Sequence, residues 1–409
     1  MRRGQQTGRD VLEILRPPQP EWRKRLILTE KGYPKAVLAN CLLALREAPE
    51  WNGVLGFNAF SMTTAFLKAP PWDGEPGDVT DNSDRLTCEW LQRAGIHVSV
   101  ETAAQAIQTV AREHSFHPPR SYLEGITWDG ISRLEGWLQT YLGVADSAYS
   151  RAIATRWPVS AVARVFQPGV KADCCLILEG GQGIGKSSAL RILGDPWFTD
   201  EIADLGNKDA SLQVQGTWIV EIAELDSMSR SEVSKIKSFM SRNVDRFRPP
   251  YGKRLVESPR QCVFGGTVNH STYLRDETGG RRFWPVECTS IDLAALRRDR
   301  DQLWAEAVSL FRAGTPWWLE NQELIREAAT EQADRFEGDP WEESIATFIE
   351  DRIDVSIDQI LGSCLEKPKA QWSQMDKNRI ARTLRSLNWE RYYARTGTAR
   401  EWRYRHVAH

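Results

Sequence analysis

From Lys35 to Leu45 apolar residues recur at helical spacing, and Trp51 to Phe60 alternates around glycine, so a helix followed by a short hairpin or loop is predicted there. The Pro/Gly/Asp-rich stretch Pro70 to Asp78 reads as a loop. Helical periodicity returns in three pieces. They are Ala103 to Ala111, Ile131 to Leu142 after the turn Trp128-Asp129-Gly130, and Tyr149 to Phe166 with a break or kink expected at Pro158. A mainly helical N-terminal domain over residues 1–166 is the expectation.

After Gln167-Pro168-Gly169 the pattern changes. Short apolar runs appear at Cys174 to Leu178, Trp218 to Ala223 and Cys262 to Thr267, separated by helical segments. Short, continuously apolar runs between helices imply buried parallel strands covered by helices, so residues 167–320 are expected to form an α/β core. Asn321 to Phe336 reads as a charged helix, and Gly338-Asp339-Pro340 breaks the chain. Residues 341–409 read as helices followed by a hairpin, with Lys377 to Leu387 as the last helix, a pattern that suits a small winged-helix-like module. On that helix Arg382 lies opposite Ile380 and Leu384, and the hairpin carries arginines and aromatics from Trp389 to Arg405.

The 409 residues, 41% of them hydrophobic, suffice for two or three packed domains. A net charge of −2 means that nucleic-acid binding must rest on local basic patches. The seven cysteines are scattered without Cys-x-x-Cys spacing, which points to reduced core residues and away from a zinc site. No apolar run approaches the roughly 18 residues of a membrane helix, so a soluble protein of the host cytoplasm without a membrane partner is expected.

The chemistry begins after the first apolar run. Gly180-Gly181-Gln182-Gly183-Ile184-Gly185-Lys186-Ser187 fits G-x-x-x-x-G-K-[ST] and leads through Ser188 into a helical stretch. Backbone N–H groups there would cradle phosphates, Lys186 would reach the β/γ oxygens and the Ser187 hydroxyl would ligate Mg²⁺, so ATP and Mg²⁺ are the expected ligands. Hydrolysis further needs an acidic strand end, and Glu221 and Glu224 are both placed for it. Glu224 is preferred for the metal or water role because it falls at the strand's C-terminal end, with Glu221 as helper or rival. Asn269 ends the third run near the γ-phosphate position, whereas His270 reads as structural. Arg281 and Arg282, after Gly279-Gly280, suit a transition-state finger, which in trans requires a ring or chain of like subunits. Arg246, Arg248, Tyr251, Lys253 and Arg254 surround a Pro-Pro-Tyr-Gly turn, a combination fit to grip a polynucleotide backbone and equally consistent with a solvated basic face.

These stretches, with Phe116 to Leu123, Lys171-Ala172-Asp173 and Pro259 to Phe264, resemble the virulence-associated protein E family of phage and prophage proteins, similar to superfamily 3 helicases. The resemblance implies an AAA+-like ATPase core, assembly as a ring, taken as hexameric, and DNA translocation, with a primase or replication initiator as further partner. It assigns Lys186 and Ser187 to the phosphate loop, Glu224 to the acidic strand end, Asn269 to the sensor, Lys253 to a DNA-contacting hairpin and Arg281 or Arg282 to the finger. Priming activity is not expected, because the region before Phe166 is short and lacks a metal-binding carboxylate cluster. Two other readings remain at this stage: a nucleotide-dependent regulatory or phage-interference switch that does not unwind DNA, and a small-molecule kinase, which leaves the basic segments unexplained.

Overall fold

The computed structural model describes residues 20–201, 210–225, 228, 230–248, 255–269, 280–335, 341–396 and 399–406. The chain divides into two compact units, one ending at Ala333 and the other starting at Asp334.

The first unit opens with three helices, Leu38–Glu47, Asp81–Arg93 and Val100–Glu113, packed on a four-stranded sheet. Its strands are β1 (Leu55–Asn58), β2 (Thr63–Phe66), β3 (Gly77–Asp78) and β4 (Ser115–Phe116), in the order β3-β2-β1-β4. A hairpin is present, but it runs from Leu55 to Phe66, so only its first strand lies within the predicted Trp51 to Phe60. The rest of this sheet escaped a reading that expected mainly helix, since strands of two to four residues are too short for their alternation to register. Two helices were also unforeseen, although both carry start signals. Thr80 and Ser83 form a capping box before Asp81–Arg93, and His117 caps Pro118–Gly125 with Pro at its first turn.

Ala148–Phe166 is one continuous helix with Pro158 inside it, where the sequence suggested a break or kink. Proline removes the donor that would serve the carbonyl four residues back. That carbonyl, on Ala154, instead accepts the Trp137 indole N–H at 2.8 Å. A core tryptophan thus replaces the missing backbone donor, a bond worth roughly 1 kcal/mol net.

The second sheet contains β5 (Cys175–Glu179), β6 (Phe198–Thr199), β7 (Ile219–Ile222), β10 (Val263–Val268) and β11 (Phe283–Glu287), with the separate antiparallel pair β8 (Val244–Phe247) and β9 (Val256–Pro259) lying between β7 and β10 in the chain. The order is β11-β5-β10-β7-β6 and every pairing is parallel. All residues of β5, β7 and β10 are buried, as expected of a sheet covered on both faces. The covering helices include Lys186–Gly194, Leu293–Arg312 and Ala148–Phe166, so residues 123–165 share the core of this sheet. Gly265 lets the first of these approach closely, since a Cβ there would meet the Leu190 side chain at 2.8 Å.

β11 went unread in the sequence because Pro285 sits in it. As an edge strand it tolerates proline, whose missing N–H faces away from the ladder.

In the second unit, helix Glu342–Ile349 is followed by β12 (Asp354–Val355), a helical turn from Ile357, helix Gln374–Ser386 and the hairpin β13 (Trp389–Thr396) and β14 (Ala399–His406). The sheet order is β12-β14-β13, and Ile345, Ile349, Ile360, Ile380, Leu384, Trp389 and Tyr404 fill its core. The last helix and the hairpin match the sequence expectation.

Candidate functional site

β5 ends at Glu179, and after six intervening residues the helix Lys186–Gly194 starts. The turn between them depends on glycine. Gly180, Gly183 and Gly185 have φ of +142°, +82° and +102°, and a Cβ on Gly180 would lie 2.6 Å from the Cys288 carbonyl oxygen. The turn therefore presents backbone N–H groups at a helix N-terminus that lacks a side-chain cap, an arrangement suited to an anion.

Lys186 is buried at the base of the turn. Its ammonium donates to the carbonyl oxygens of Gly180 at 2.6 Å and Gly181 at 2.8 Å, and to Asn269 Oδ1 at 3.2 Å. Ser187 donates its hydroxyl to Glu221 Oε1 at 2.7 Å. Strand order explains the convergence. β10 is inserted between the glycine-loop strand β5 and the acidic strand β7, so the end of β10 falls between Lys186 and Glu221. Thr267 donates to the same Glu221 oxygen at 2.7 Å, and Asn269 follows two residues later.

The structure thus gathers Lys186, Ser187, Glu221 and Asn269 from the sequence candidates. Glu221, 1% exposed, is the carboxylate that faces Ser187. Glu224 lies beyond the strand end, exposed, with φ +52°. Left-handed backbone in a residue with a side chain is strained and concentrates at functional turns. Thr267 was missed, because a threonine in an apolar strand is an ordinary β-former with no spacing to mark it.

The other Glu221 oxygen, Oε2, is buried without a hydrogen-bond partner. An orphaned carboxylate oxygen beside a serine hydroxyl suits a divalent cation or its bound water. Among the described residues no three His, Cys, Asp or Glu side chains cluster to hold a metal. Such a donor set fits Mg²⁺ carried by nucleotide phosphates better than a dedicated all-protein cage. The neighbouring Cys288 thiol, pushed up to about 12 by burial, stays protonated and takes no part.

Arg281 and Arg282 occupy the other edge of the sheet. They immediately precede Phe283, which pairs with Cys175 at the start of β5, whereas Lys186 follows the end of β5. Arg282 donates to Asp173 at 3.1 Å and is mostly buried, while Arg281 is exposed. A cavity of about 790 Å³, lined partly by Arg281, Trp284, Trp317 and Trp318, opens at this same edge.

Arg246 and Arg248 lie exposed on β8 and just after it, while Asp245 and Phe247 between and beside them are buried; Arg246 pairs with Glu257 at 2.8 Å. Tyr251, Lys253, Arg254 and His270 lie outside the described residues. No helix among the described residues is long and apolar enough to cross a membrane.

Fold and site together define a mixed α/β protein whose parallel sheet carries a glycine loop, a lysine and an acidic strand at one edge. A model of the virulence-associated protein E-like domain matches residues 123–337, more than half of the chain, and the chain belongs to this family. No curated protein sequence matches it. Among solved structures it is similar to the apo C-terminal region (305–718) of NrS-1, at TM-score 0.46 and 12% identity over 87% of this chain and 96% of that one. An A form of the same region gives TM-score 0.47 with the same identity and coverage.

Proposed function

We propose that this chain is an ATP-dependent DNA helicase or translocase of phage or mobile-element replication, with an AAA+-like core that assembles as a ring. The observation that carries the reading is the convergence of Lys186, Ser187, Glu221 and Asn269 at one sheet edge, on a glycine turn left open for an anion.

Bound Mg²⁺–ATP supplies the phosphoanhydride whose cleavage drives the motor. The protein's part is positioning and charge. Lys186 exchanges the Gly180 and Gly181 carbonyls for phosphate oxygens, and the glycine-turn N–H groups hold the chain of phosphates. Ser187 and Glu221 hold the cation, and Glu224 and Asn269 orient the attacking water. Arg281, exposed at the far edge, serves the site of a neighbouring subunit.

The 341–409 unit, with its helix, strand, helices and hairpin, is read as a winged-helix-like DNA-binding module. Tyr393 and Trp402 lie half exposed and 4.8 Å apart on its hairpin, with Arg391 stacked 4.0 Å over Trp402, a surface suited to nucleic acid.

Hydrolysis and unwinding of forked DNA test the reading. We expect ATP turnover stimulated by single-stranded DNA, strand displacement, and loss of both in Lys186→Ala. Hydrolysis indifferent to DNA, with no strand displaced, overturns it.

A further inference from the structure

We propose that Thr267 is a positioning residue that fixes the Glu221 carboxylate for the divalent cation of a bound nucleotide, an inference that rests on the nucleotide-site reading above. The geometry is specific. Glu221 Oε1 accepts two hydroxyl hydrogens, from Ser187 and from Thr267, each at 2.7 Å, while Oε2 is buried and accepts none.

The two donors differ in kind. Ser187 belongs to the first turn of the helix at the phosphate loop, exposed toward any ligand, and its oxygen has lone pairs to give a cation while its proton still points at Glu221. Thr267, 7% exposed, lies at the penultimate position of β10 and is held by the sheet, whose register pairs the preceding Gly266 with Ile222 of β7. A buried glutamate has three rotatable bonds, and a single bond to a ligand-facing serine leaves its orphaned oxygen free to swing. The second bond, from a rigid strand, removes that freedom and aims Oε2 before a ligand arrives. Because Asn269 follows two residues later and touches Lys186, one strand end sets both the carboxylate and the lysine partner.

Packing alone gives no reason for a hydroxyl here. Valine has nearly the same shape, and losing the Thr267 donor leaves Glu221 Oε1 still bonded to Ser187, so Thr267→Val strands no buried donor. The change should therefore read out on the cation and not on the fold.

The test titrates a fluorescent ADP analogue into the full chain with and without Mg²⁺, and follows Mn²⁺ uptake in the presence of ADP by electron paramagnetic resonance. Wild type should bind the analogue more tightly with Mg²⁺. In Thr267→Val the metal-free affinity should stay within about twofold, while Mn²⁺ affinity and the Mg²⁺-dependent tightening fall about tenfold, the scale of a lost hydrogen bond behind a metal ligand. Thr267→Ala should match it, and Thr267→Ser should recover the wild-type response. Unchanged metal dependence in Thr267→Val and Thr267→Ala, or a Thr267→Ser no better than either, overturns the inference while leaving the nucleotide site standing. Wild type that binds no ADP analogue at all removes both. Thermal unfolding of the same samples identifies a variant that fails to fold, and the remaining variants then decide.

Discussion

Glu221 and Glu224 are three residues apart, and their environments assign them different work. Glu221 is enclosed in β7 and bonded to Ser187 and Thr267, whereas Glu224 stands exposed on a left-handed turn just beyond. Glu221→Gln keeps the shape but replaces the charge that would face a cation, and it sets an amide against two hydroxyl donors. We expect ATP turnover to fall by about 10²-fold or more, with nucleotide still bound, because holding and neutralising charge is most of what a phosphoryl-transfer site supplies. Steady-state turnover beside analogue binding checks this. If Glu221→Gln turns over normally and Glu224→Gln is dead, the principal acidic role returns to Glu224. The sequence displayed both carboxylates and favoured Glu224, because a strand's C-terminal end is the general place for such a group, while the actual partner of Ser187 depends on which strand lies alongside. That neighbour is β10, inserted from more than 40 positions further along the chain, a non-local pairing invisible to spacing.

The hairpin β8–β9 leads to the candidate DNA-contacting tip, and its base is locked to the sheet by one ion pair. Arg260 and Asp245 are both fully buried, with Arg260 Nε donating to Asp245 Oδ2 at 2.8 Å and the guanidinium 4.3 Å over the Phe239 ring and 5.7 Å over Phe264 of β10. The Ser211 hydroxyl donates to Asp245 as well, at 3.2 Å. From Arg260 the chain runs through Gln261 and Cys262 straight into β10, whose end carries Thr267 and Asn269. If the hairpin contacts DNA as proposed, a pull on it would have a short route along the chain to the lysine and carboxylate of the nucleotide site. Breaking the pair from one side leaves an uncompensated buried charge, so Asp245→Asn should destabilise the first unit by roughly 3–5 kcal/mol. The double change Asp245→Leu with Arg260→Met removes both charges and should recover much of that loss, as read by urea or thermal unfolding. A double variant no better than the single one contradicts this account. The three apolar runs and the glycine loop were legible because their signals are local. The edge strand β11 was hidden by Pro285, and the unbroken helix through Pro158 depends on Trp137, a donor 17 residues from the carbonyl it serves.

The two edges of the parallel sheet hold the two groups of residues that the proposed hydrolysis site would combine. Lys186 follows the end of β5 and Arg281 precedes β11 at its start, so the five-residue strands between them separate the two by roughly 13 Å or more at about 3.3 Å per residue. Arg282 is bonded to Asp173 and leaves Arg281 as the exposed cation of the pair. From the sequence alone both arginines were equal candidates, because their edge depends on β11 pairing in parallel with β5. If Arg281 is the finger of the proposed site, its place at the edge opposite the phosphate loop means that each complete site would need two chains, joined head to tail, and a head-to-tail contact that closes makes a ring. This arrangement has a consequence that a self-contained site lacks. Lys186→Ala and Arg281→Ala should each be inactive alone, yet chains mixed before assembly should regain turnover. An intact site then needs a lysine donor on one side and an arginine donor on the other, each with a chance of one half. Independent sites in a closed ring would thus give about one quarter of wild-type activity. Measuring ATP turnover across mixing ratios, alongside mass in the presence of nucleotide, decides the matter, because a finger acting within its own chain gives no recovery at any ratio.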